Sequence, residues 1–511
     1  MDVVGVCGAG TMGAGIAQLA AGAGARTLVH DPTPGATERA LEGVRERLGR
    51  SVERGRVTRA EANATAGRLE AVDGLERLAP CAVVIEAAPE RLALKQELLA
   101  ALEEVVAGDC VLATNTSSLL VTEIAATARR PERVVGMHFF NPAPRMRLVE
   151  VVAGERSGAV ALAAVRALGE AMGKRVIDAA DGPGFLVNRC NRPFHLEALR
   201  CLAEGLATPE QIDRIVRLGG SFKMGPFELM DLVGLDTSFA VQRSFFAQSF
   251  GEPRWRPAPL VGRMVAAGRL GRKSGEGFYA YPREAAPDPP PREEAGGDDR
   301  VVVAGHSPLA EGIARAAREA GWTVGPLGKA DGETSELIVD CGATDGEPPV
   351  QGGHHVRLCD AAPLAALDPG GASAGFFALA PFETCGLVEL TRRPTTSAAA
   401  AGAAERFFAS LARRVEWVGD APGLVLGRIV CQLVNEACFA LGEGVGSADD
   451  IDAGMTLGLN HPRGPLEWAD AIDPAEVLVV VAGLHAELGD DRYRPAPALV
   501  RAVRSRTPLR P

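Results

Sequence analysis

Four polar residues in the first half of the chain are of the types that could oxidise an alcohol: Ser117, His138, Glu150 and Asn188. An imidazole that titrates near the working pH can accept the hydroxyl proton, and a carboxylate beside it can stabilise the resulting cation. A hydroxyl and an amide can hydrogen-bond the reacting oxygen. Each type also has an ordinary structural use, as a packed histidine, a surface acid or a turn cap. Alcohol oxidation further needs a hydride acceptor, so a cofactor site should accompany these residues.

A glycine motif near the N-terminus supplies a candidate for that cofactor site. It lies between an apolar run at residues 3–6, which predicts a strand, and residues 16–20, which predict a helix. Backbone N–H groups at the start of that helix can hold a pyrophosphate. A second apolar stretch ends at Asp31, whose carboxylate would hydrogen-bond an adenosine ribose and repel a 2′-phosphate. We therefore expect NAD rather than NADP, although a glycine-rich turn without a ligand is the alternative. The predicted NAD-binding residues are Gly8, Gly10, Thr11, Met12, Gly13 and Asp31.

Further motifs follow the glycine motif in a fixed order. They are TNTSSL (114–119), HFFNP (138–142) with LVEV (148–151), DGPGFLVNR (181–189), KMGPFELMD (223–231) and LGRKSGEGFY (270–279). In these segments, which lie within residues 1 to about 283, the chain resembles the NAD-dependent 3-hydroxyacyl-CoA dehydrogenases.

The resemblance implies a role for each of the four polar residues. His138 would be the base that takes the hydroxyl proton, and Glu150 would orient its ring and stabilise its charged form. Ser117 and Asn188 would hydrogen-bond the reacting oxygen or the thioester carbonyl and hold the carbon against the nicotinamide. The implied reaction is the reversible oxidation of (3S)-3-hydroxyacyl-CoA by NAD to 3-oxoacyl-CoA and NADH.

Other cofactor contacts are implied by the same resemblance. Glu90 and Lys95 match positions near the nicotinamide ribose. Asn115, Asn141 and Lys273 match further contacts with the cofactor.

The coenzyme A contacts of the family fall at about Arg47 and Arg54. Together with Arg50, these arginines recur at helical spacing, so they share one predicted helix face and could meet CoA phosphates. The alternative is a solvated face on which nearby glutamates balance the arginines.

Composition limits the classes of partner and compartment. The 511 residues suffice for three or four domains, and the net charge of −11 argues against a nucleic-acid partner. The ten cysteines form no CxxC pair and have no metal-ligand spacing, which predicts reduced thiols and no metal site. Neither a signal peptide nor an apolar run long enough to cross a bilayer is evident. We expect a soluble, cytoplasmic protein with an acyl-CoA substrate and no membrane partner.

The chain also contains an internal duplication. A shift of 239 residues pairs many identical residues in one constant register, which is hard to obtain by chance. Among the pairs are Pro142 with Pro381, Glu150 with Glu389, Asp181 with Asp420, Arg189 with Arg428, Glu204 with Glu443, and Pro226 with Pro465. Upstream the register breaks, so the second nucleotide-type domain is predicted to be shortened. A linker rich in proline, glycine and acids separates the copies.

The second copy lacks the chemistry of the first. His138 pairs with Phe377 and Asn188 with Gly427, while the glycine motif becomes Gly305-x-Ser307-x-x-Ala310. The stretch that matches Ser117 offers residues such as Val356 or Ala362. We therefore predict that the second copy is not catalytic.

A reduced second copy of this kind resembles the fused bacterial members of the family that act in phenylacetate catabolism on 3-hydroxyadipyl-CoA. The segments NRPFHLEAL (191–199) and GSFKMGP (220–226) fit that group, with His195 in place of a usual tyrosine and interpreted as a packing residue. The resemblance implies 3-hydroxyadipyl-CoA or 3-hydroxybutyryl-CoA as substrate. Arg145 replaces a usually apolar residue and could attract the distal carboxylate of a dicarboxylic acyl group; an exposed arginine without a specific partner is the alternative.

The predicted fold is α/β plus all-α. We expect a doubly wound Rossmann-type NAD domain at residues 1–182, a helical substrate and dimerisation domain at 183–283, and a linker at 284–299. A reduced Rossmann-like domain at 300–384 and a second helical domain at 385–511 complete the prediction. The second helical domain is expected to dock on the first as an internal pseudo-dimer, and a homo-oligomer is also possible.

Two other functions remain open from the sequence. One is a related β-hydroxyacid dehydrogenase that acts on a free acid, although such enzymes use a lysine base. The other is a nucleotide-binding scaffold without turnover, against which the complete set of four polar residues argues.

Overall fold

The structure, a computed structural model, describes residues 3–283, 288, 300–325, 337–342 and 353–510. It divides into unit 1, formed by Met1–Arg189 with Glu443–Leu459, and unit 2, formed by Cys190–Gly442 with Asn460–Pro511. The predicted linker at 284–299 lies outside the described residues, apart from Asp288.

The first sheet, in unit 1, has eight strands. They are β1 Val3–Cys7, β2 Arg26–His30, β3 Leu69–Val72, β4 Val83–Glu86, β5 Val111–Thr114, β6 Val134–Phe139, β7 Leu148–Ala153 and β8 Arg175–Ala180. Their order across the sheet is β3-β2-β1-β4-β5-β6-β7-β8, and only β6 and β7 are antiparallel to each other. The helices that accompany them are α1 Thr11–Gly22, α2 Ala36–Glu53, α3 Arg59–Gly67, α4 Leu92–Val105, α5 Val121–Ala125, α6 Ala159–Ala171 and α7 Val187–Cys190.

Both faces of this sheet are buried. Val83 and Ile85 of β4 belong to a core cluster that includes Ile16 of α1. Val84 points the other way, into a second cluster that includes Leu99 of α4. Alternate residues of a strand lie on opposite faces, so apolar residues throughout a strand give a sheet with helices on both sides. The predicted doubly wound arrangement of unit 1 follows from this pattern.

Unit 2 begins with helices and continues into a second sheet. The helices before the sheet are α8 Arg192–Ala203, α9 Pro209–Gly219, α10 Pro226–Val233, α11 Leu235–Gln248 and α12 Pro259–Ala266. The strands are β9 Arg300–Ala304, β10 Thr323–Gly325, β11 Leu337–Asp340, β12 His354–Leu358, β13 Ala374–Phe377, β14 Leu387–Thr391 and β15 Arg414–Val418. The remaining α-helices among the described residues are α13 Pro308–Glu319, α14 Leu364–Leu367, α15 Ala398–Ser410, α16 Leu426–Gly442, α17 Ala448–Ala453, α18 Pro465–Ile472, α19 Pro474–Leu488 and α20 Pro497–Ser505.

The second sheet repeats the order of the first in a shorter form. Its order is β10-β9-β11-β12-β13-β14-β15, and β13 and β14 are its antiparallel pair. Within the described residues, the second sheet has no strand in the position of β3. Two sheets of mainly parallel strands, each accompanied by helices, agree with the predicted Rossmann-type architecture.

A segment of the second copy lies in unit 1. Residues 443–459 contain α17 and a π-helical turn at Gly454–Gly458. Ala180, at the end of β8, donates its N–H to the carbonyl of Val445 at 2.8 Å. Arg189 forms an ion pair with Glu443 at 2.7 Å. Residues 443–459 of the second copy thus cover the first sheet at β8.

The corresponding segment of the first copy makes the corresponding contacts in unit 2. Residues 204–220 match 443–459 by the 239-residue shift. The N–H of Gly419, just beyond β15, donates to the carbonyl of Leu206 at 2.7 Å. Arg428 pairs with Glu204 at 2.5 Å. Contacts of the same kind therefore recur between equivalent positions of the two copies.

Candidate active site

The glycine turn between β1 and α1 is shaped for a ligand. Gly8 has φ 109°, and a Cβ there would lie 2.5 Å from the carbonyl oxygen of Ala87. A Cβ on Gly13 would overlap the carbonyl oxygen of Gly8, whereas a Cβ on Gly10 would have no atom within 4 Å. Gly8 and Gly13 are therefore needed for close backbone packing, and Gly10 leaves open space at the helix start. Helix α1 begins at Thr11 without a side-chain cap, which suits an approaching pyrophosphate.

Asp31 lies directly after β2 and beside the glycine turn. Its Oδ2 accepts a hydrogen bond from Ala9 N at 2.8 Å, and its Oδ1 accepts one from Thr33 N at 2.9 Å. Partial burial acts to raise the pKa of Asp31, but these hydrogen bonds outweigh burial and lower it. The carboxylate is thus held in its ionised form at the place where the sequence predicts the adenosine ribose.

Glu90 organises the loop that carries Ser117. Its Oε1 accepts hydrogen bonds from Thr116 Oγ1 at 2.6 Å, Ser117 N at 3.0 Å and Ser118 N at 2.9 Å. Burial acts to raise the pKa of Glu90, but Lys95 and these hydrogen bonds together lower it. The Ser117 side chain is left exposed at the top of the loop.

Lys95 is almost completely buried, at 1% exposure. Its ammonium lies 2.7 Å from Glu86 Oε1 and 3.4 Å from Glu90 Oε2. Glu86, the last residue of β4, also accepts from Thr114 Oγ1 at 2.6 Å. Sequence reasoning missed Glu86, although an acid that ends a buried parallel strand lies at the edge where ligands bind.

Asn115 ties the Ser117 loop to the strand that carries His138. Its Oδ1 accepts a hydrogen bond from Phe139 N at 2.8 Å. Phe139 follows His138 in β6, so the amide side chain fixes the spacing between the two segments.

His138 and Glu150 form a buried pair. They lie opposite each other in the antiparallel register of β6 and β7, and Nδ1 of the imidazole is 2.5 Å from Oε2 of the carboxylate. The other carboxylate oxygen accepts from Leu186 N at 3.2 Å and Val187 N at 2.9 Å. An ionised carboxylate can only accept, so it places the imidazole proton on Nδ1 and leaves the lone pair of Nε2 for chemistry. Asn188 follows Val187 in α7.

Two aromatic rings and burial shield the imidazole from solvent. The ring of Phe140 lies 4.6 Å from that of His138, and the ring of Phe185 lies 5.7 Å from it. An apolar surrounding of this kind excludes water and strengthens electrostatic interactions inside the site.

The remaining predicted ligand residues in unit 1 are less constrained. Arg47 donates from Nε to Gln18 Oε1 at 3.1 Å, and burial lowers its pKa. Arg54 falls just beyond α2 rather than on its face, and Arg50 is paired with Glu46 at 3.6 Å. The predicted helix face of arginines therefore holds for Arg47 and Arg50 but not for Arg54. Asn141 is exposed and precedes a cis peptide bond.

Arg145 is exposed on a loop that is anchored on both sides. Lys174 donates from Nζ to the carbonyl oxygens of Ala143 at 2.8 Å and Met146 at 2.6 Å. Burial lowers the pKa of Lys174 to about 8. Sequence reasoning did not identify this lysine, because its contacts join residues far apart in the chain.

Two residues singled out in the sequence lie in unit 2. Lys273 pairs with Asp236 through a hydrogen bond of 2.7 Å. His195 is buried, and neither ring nitrogen has a hydrogen-bond partner within the described part of the chain; the centroid of its ring lies 5.4 Å from that of Phe194. Burial lowers the pKa of His195 to about 3, which fits its interpretation as a packing residue.

In the second copy, other residues occupy the positions of His138 and Asn188. Phe377 lies opposite Glu389 in the register of β13 and β14, where the first copy has His138 and Glu150. A Cβ on Gly427 would overlap the Phe377 ring, so the ring occupies the space beside α16.

Glu389 keeps its backbone partners in the second copy. Its carboxylate accepts from Val425 N at 2.8 Å and Leu426 N at 3.0 Å. Burial raises the pKa of Glu389 to about 8, against the lowering effect of these hydrogen bonds. Among the residues that the structure describes, the carboxyl group has two backbone donors and no basic side chain as a partner.

The second glycine turn and the serine position have also changed. Ser307 caps α13 by accepting from Ala310 N, so a side chain occupies the helix start. The strand registers place Asp360 where the first copy has Ser117, because each lies three residues beyond the partner of an equivalent glycine, Gly375 or Gly136. The sequence had suggested residues such as Val356 or Ala362 for this position.

The described residues contain neither a metal-binding cluster nor a membrane-spanning helix. Among them, no group of three or more histidine, cysteine, aspartate or glutamate side chains could hold a metal ion. No helix in the described part of the chain has the length and hydropathy needed to cross a membrane.

Comparison with known proteins identifies the family. Residues 3–182 match the model of the 3-hydroxyacyl-CoA dehydrogenase NAD binding domain. Residues 184–281 and 423–509 both match the 3-hydroxyacyl-CoA dehydrogenase C-terminal domain, so the helical part is matched twice.

Several relatives cover the chain to different extents. The 3-hydroxyadipyl-CoA dehydrogenase of Escherichia coli K12 is 37% identical over 98% of this chain and 97% of its own length. A 3-hydroxybutyryl-CoA dehydrogenase of Mycobacterium tuberculosis is 42% identical over 54% of this chain and 98% of its own length. The crystal structure of 3-hydroxybutyryl-CoA dehydrogenase from E. coli K12 superposes with a TM-score of 0.85 at 35% identity, covering 99% of this chain and 98% of that one. These matches confirm the predicted NAD cofactor and reaction class, and the chain belongs to the 3-hydroxyacyl-CoA dehydrogenase family, whose members are NAD-dependent oxidoreductases.

Proposed function

We propose that this chain oxidises a (3S)-3-hydroxyacyl-CoA reversibly to the 3-oxoacyl-CoA, with His138 and Glu150 as its acid–base pair. The observation that carries the proposal is the buried 2.5 Å contact between His138 Nδ1 and Glu150 Oε2. It leaves Nε2 as the proton acceptor in oxidation and the proton donor in reduction. The Glu150 carboxylate stabilises the imidazolium that forms when His138 has taken the hydroxyl proton.

The other two polar residues position the substrate. Ser117, exposed above the loop that Glu90 holds, and Asn188, which follows the anchored Val187, hydrogen-bond the reacting oxygen or the thioester carbonyl. The hydrogen bond from Ser117 N to Glu90 holds the backbone of the first, and the bond from Val187 N to Glu150 holds the backbone beside the second. The backbone that carries each side chain is therefore held in place before the substrate binds.

NAD, when bound, supplies the acceptor for the hydride. Gly10 and the start of α1 would hold its pyrophosphate, and Asp31 would hold the adenosine ribose. By resemblance, Glu90 and Lys95 would lie near the nicotinamide ribose. Thr11, Met12, Asn115, Asn141 and Lys273 complete the proposed cofactor contacts.

Both alternative functions are less well supported by the site. A lysine base for a free hydroxyacid is not evident in unit 1, because Lys95 is buried between two glutamates and Lys174 holds two carbonyl oxygens. A scaffold without turnover would be expected to resemble the second copy, where Phe377 and Gly427 replace the histidine and asparagine. NADH formation from 3-hydroxybutyryl-CoA tests the proposal, and no turnover by the folded enzyme would refute it.

We propose 3-hydroxyadipyl-CoA or 3-hydroxybutyryl-CoA as the substrate. Support comes from the E. coli relative that covers the whole chain and is named for the former, and from the E. coli structure named for the latter. Arg145, on the loop that Lys174 anchors, attracts the distal carboxylate of a dicarboxylic acyl group, while Arg47 and Arg54 meet CoA phosphates.

Arg145→Leu separates the two substrates. An exposed ion pair is worth about 0.2–1 kcal/mol, so kcat/KM for 3-hydroxyadipyl-CoA should fall by up to about fivefold more than for 3-hydroxybutyryl-CoA. Arg147→Leu removes the same charge two residues away and is the matched control. Equal losses on both substrates would show that Arg145 has no specific partner.

We further propose that the second copy takes the place of a second subunit in a cytoplasmic enzyme. In this proposal, domains at 1–182, 183–283, 300–384 and 385–511 form an internal pseudo-dimer in which 385–511 dock on 183–283. Support comes from buried ion pairs in unit 2, where Arg428 lies 2.6 Å from Glu197 and Arg254 lies 2.7 Å from Glu436.

Truncation after about residue 283 tests this organisation. The shortened chain should dimerise with its own kind or aggregate, because it exposes the surface that 385–511 cover. A stable, fully active monomer, measured by light scattering and NADH formation, would contradict the proposal.

A further inference from the structure

Three glycines of the second copy lie against the first active site. They belong to the segment 443–459, which is part of unit 1. A Cβ on Gly446 would lie 2.6 Å from Leu186 Cδ2, and one on Gly454 would lie 2.6 Å from Val187 Cγ2. A Cβ on Gly458 would lie 2.8 Å from Leu148 Cδ2. At all three positions, a larger side chain would displace a neighbour.

Those neighbours support the proposed acid–base pair directly. The N–H groups of Leu186 and Val187 are the two donors to Glu150 Oε1. Leu148 lies two residues before Glu150 in β7.

The ring of Phe140 provides a second route to the imidazole. It would lie 3.5 Å from a Cβ on Gly458, and its centroid is 4.6 Å from that of His138. The glycine segment therefore contacts residues that support both members of the proposed pair. For Glu150 these are the two donors to its carboxylate, and for His138 it is the tilted ring of Phe140.

The matching segment of the first copy has only one of the three glycines. At the positions of Gly446, Gly454 and Gly458 it has Ala207, Ile215 and Gly219. It also forms the regular helix α9, whereas the second copy has a π-helical turn at Gly454–Gly458. Single π-helical turns inside helices are found frequently at functional sites.

We propose that Gly446, Gly454 and Gly458 are positioning residues for catalysis, through which the non-catalytic copy holds Glu150 and His138 in register. The inference rests on the proposed roles of that pair, but it assigns the second copy a part in turnover beyond packing. The close approach of the glycine backbone fixes Leu186, Val187 and Phe140. Their positions in turn fix the carboxylate and the imidazole.

Gly454→Ala in the full-length chain tests the inference. Gly454 has φ −57° and ψ −49°, which alanine adopts readily, so the effect comes from side-chain contacts rather than backbone strain. The closest contact is with Val187 Cγ2 at 2.6 Å, and Ile177 Cδ1 follows at 3.2 Å. Loss of one hydrogen bond to a charged group corresponds to roughly a tenfold fall in kcat. We expect that fall, with KM for the acyl-CoA and Kd for NADH unchanged. Val187→Ala removes Cγ2, the atom that the new Cβ meets. The double variant Gly454→Ala with Val187→Ala should therefore recover kcat.

Gly219→Ala is the matched control. Its Cβ would lie 2.8 Å from Leu426 Cδ2, and Leu426 is the residue of the second copy that matches Val187 by the 239-residue shift. The new contact therefore falls in the non-catalytic copy, so kcat should stay at the wild-type value. Wild-type kcat in Gly454→Ala, or an equal loss in Gly219→Ala, overturns the inference. If Gly454→Ala does not fold, Gly458→Ala takes its place, because the closest contact of its Cβ, at 2.8 Å, is with the flexible end of Leu148. The same fall in kcat relative to Gly219→Ala is then expected. A wild-type enzyme without NADH formation would instead refute the proposed function.

Discussion

Replacing Glu150 by glutamine tests the proposed acid–base pair with a minimal change of shape. One carboxylate oxygen lies 2.5 Å from His138 Nδ1, and the other accepts from Leu186 N and Val187 N. A glutamine side chain has a single accepting oxygen, so it cannot serve both sides.

The two orientations of the amide set bounds on the loss. If its oxygen faces Leu186 and Val187, its NH₂ group donates to His138 Nδ1, and the ring proton moves to Nε2, where it blocks proton acceptance. A tautomer error of this kind costs about 10⁴-fold in kcat in a Ser-His-Asp enzyme. If the oxygen faces His138, a neutral acceptor replaces a charged one, at about 1.5–3 kcal/mol or roughly 10- to 150-fold.

The assay is NADH formation at saturating 3-hydroxyacyl-CoA. We expect kcat to fall by about 10- to 10⁴-fold, while Kd for NADH is unchanged because the glycine turn and Asp31 are untouched. Glu389→Gln is the matched control, since Glu389 also accepts from two backbone N–H groups but faces Phe377. Unchanged kcat in Glu150→Gln, or an equal loss in Glu389→Gln, would refute the reasoning.

Three further predictions concern stability, cofactor choice and the second copy. The pKa of Glu389, raised to about 8 by burial from its ordinary value of 4.5, means that the folded chain keeps a proton that the unfolded chain releases. Glu389 should therefore contribute a fall of about 1.4 kcal/mol per pH unit to the free energy of unfolding between about pH 5 and 8. In denaturant titrations, Glu389→Gln should reduce the slope of the wild-type chain by that amount, and an unaltered slope would contradict the raised pKa. Asp31→Ala should lower kcat/KM for NAD by roughly 10- to 150-fold, because it removes the hydrogen-bond acceptor for the ribose. The value for NADP should fall by less, because the repulsion of the 2′-phosphate is removed as well. A wild-type enzyme that uses NADP as well as NAD would contradict the role of Asp31. Phe377→His, introduced into a His138→Ala chain, should leave NADH formation at background, because the second copy lacks the asparagine and the open glycine turn; recovered turnover would show that it is a latent site.

The sequence predicted the residues whose roles depend on short-range pattern. The glycine turn and Asp31 lie where the strand, turn and helix signals placed them, because close packing at Gly8 and Gly13 is a local requirement. The pairing of His138 with Glu150 followed from resemblance, and the antiparallel register supplies its physical reason.

Features that depend on distant contacts could not be predicted from the sequence. Glu86 and Lys174 act through partners that only the folded sheet brings near. The 239-residue shift holds back to Gly136 but not to Ser117, so the position that matches Ser117 emerged only from strand register, as Asp360. The placement of 443–459 in unit 1 likewise depends on tertiary packing, which glycine spacing alone does not reveal.

His138→Ala in the full-length chain tests the central claim most directly, because it removes the proposed base and leaves the cofactor residues intact. Turnover with a 3-hydroxyacyl-CoA and the Kd for NADH should be measured on the same preparation. We predict that kcat falls by about 10²- to 10⁴-fold while the Kd for NADH stays at the wild-type value. Turnover near the wild-type rate would contradict the assignment of His138 as the catalytic base.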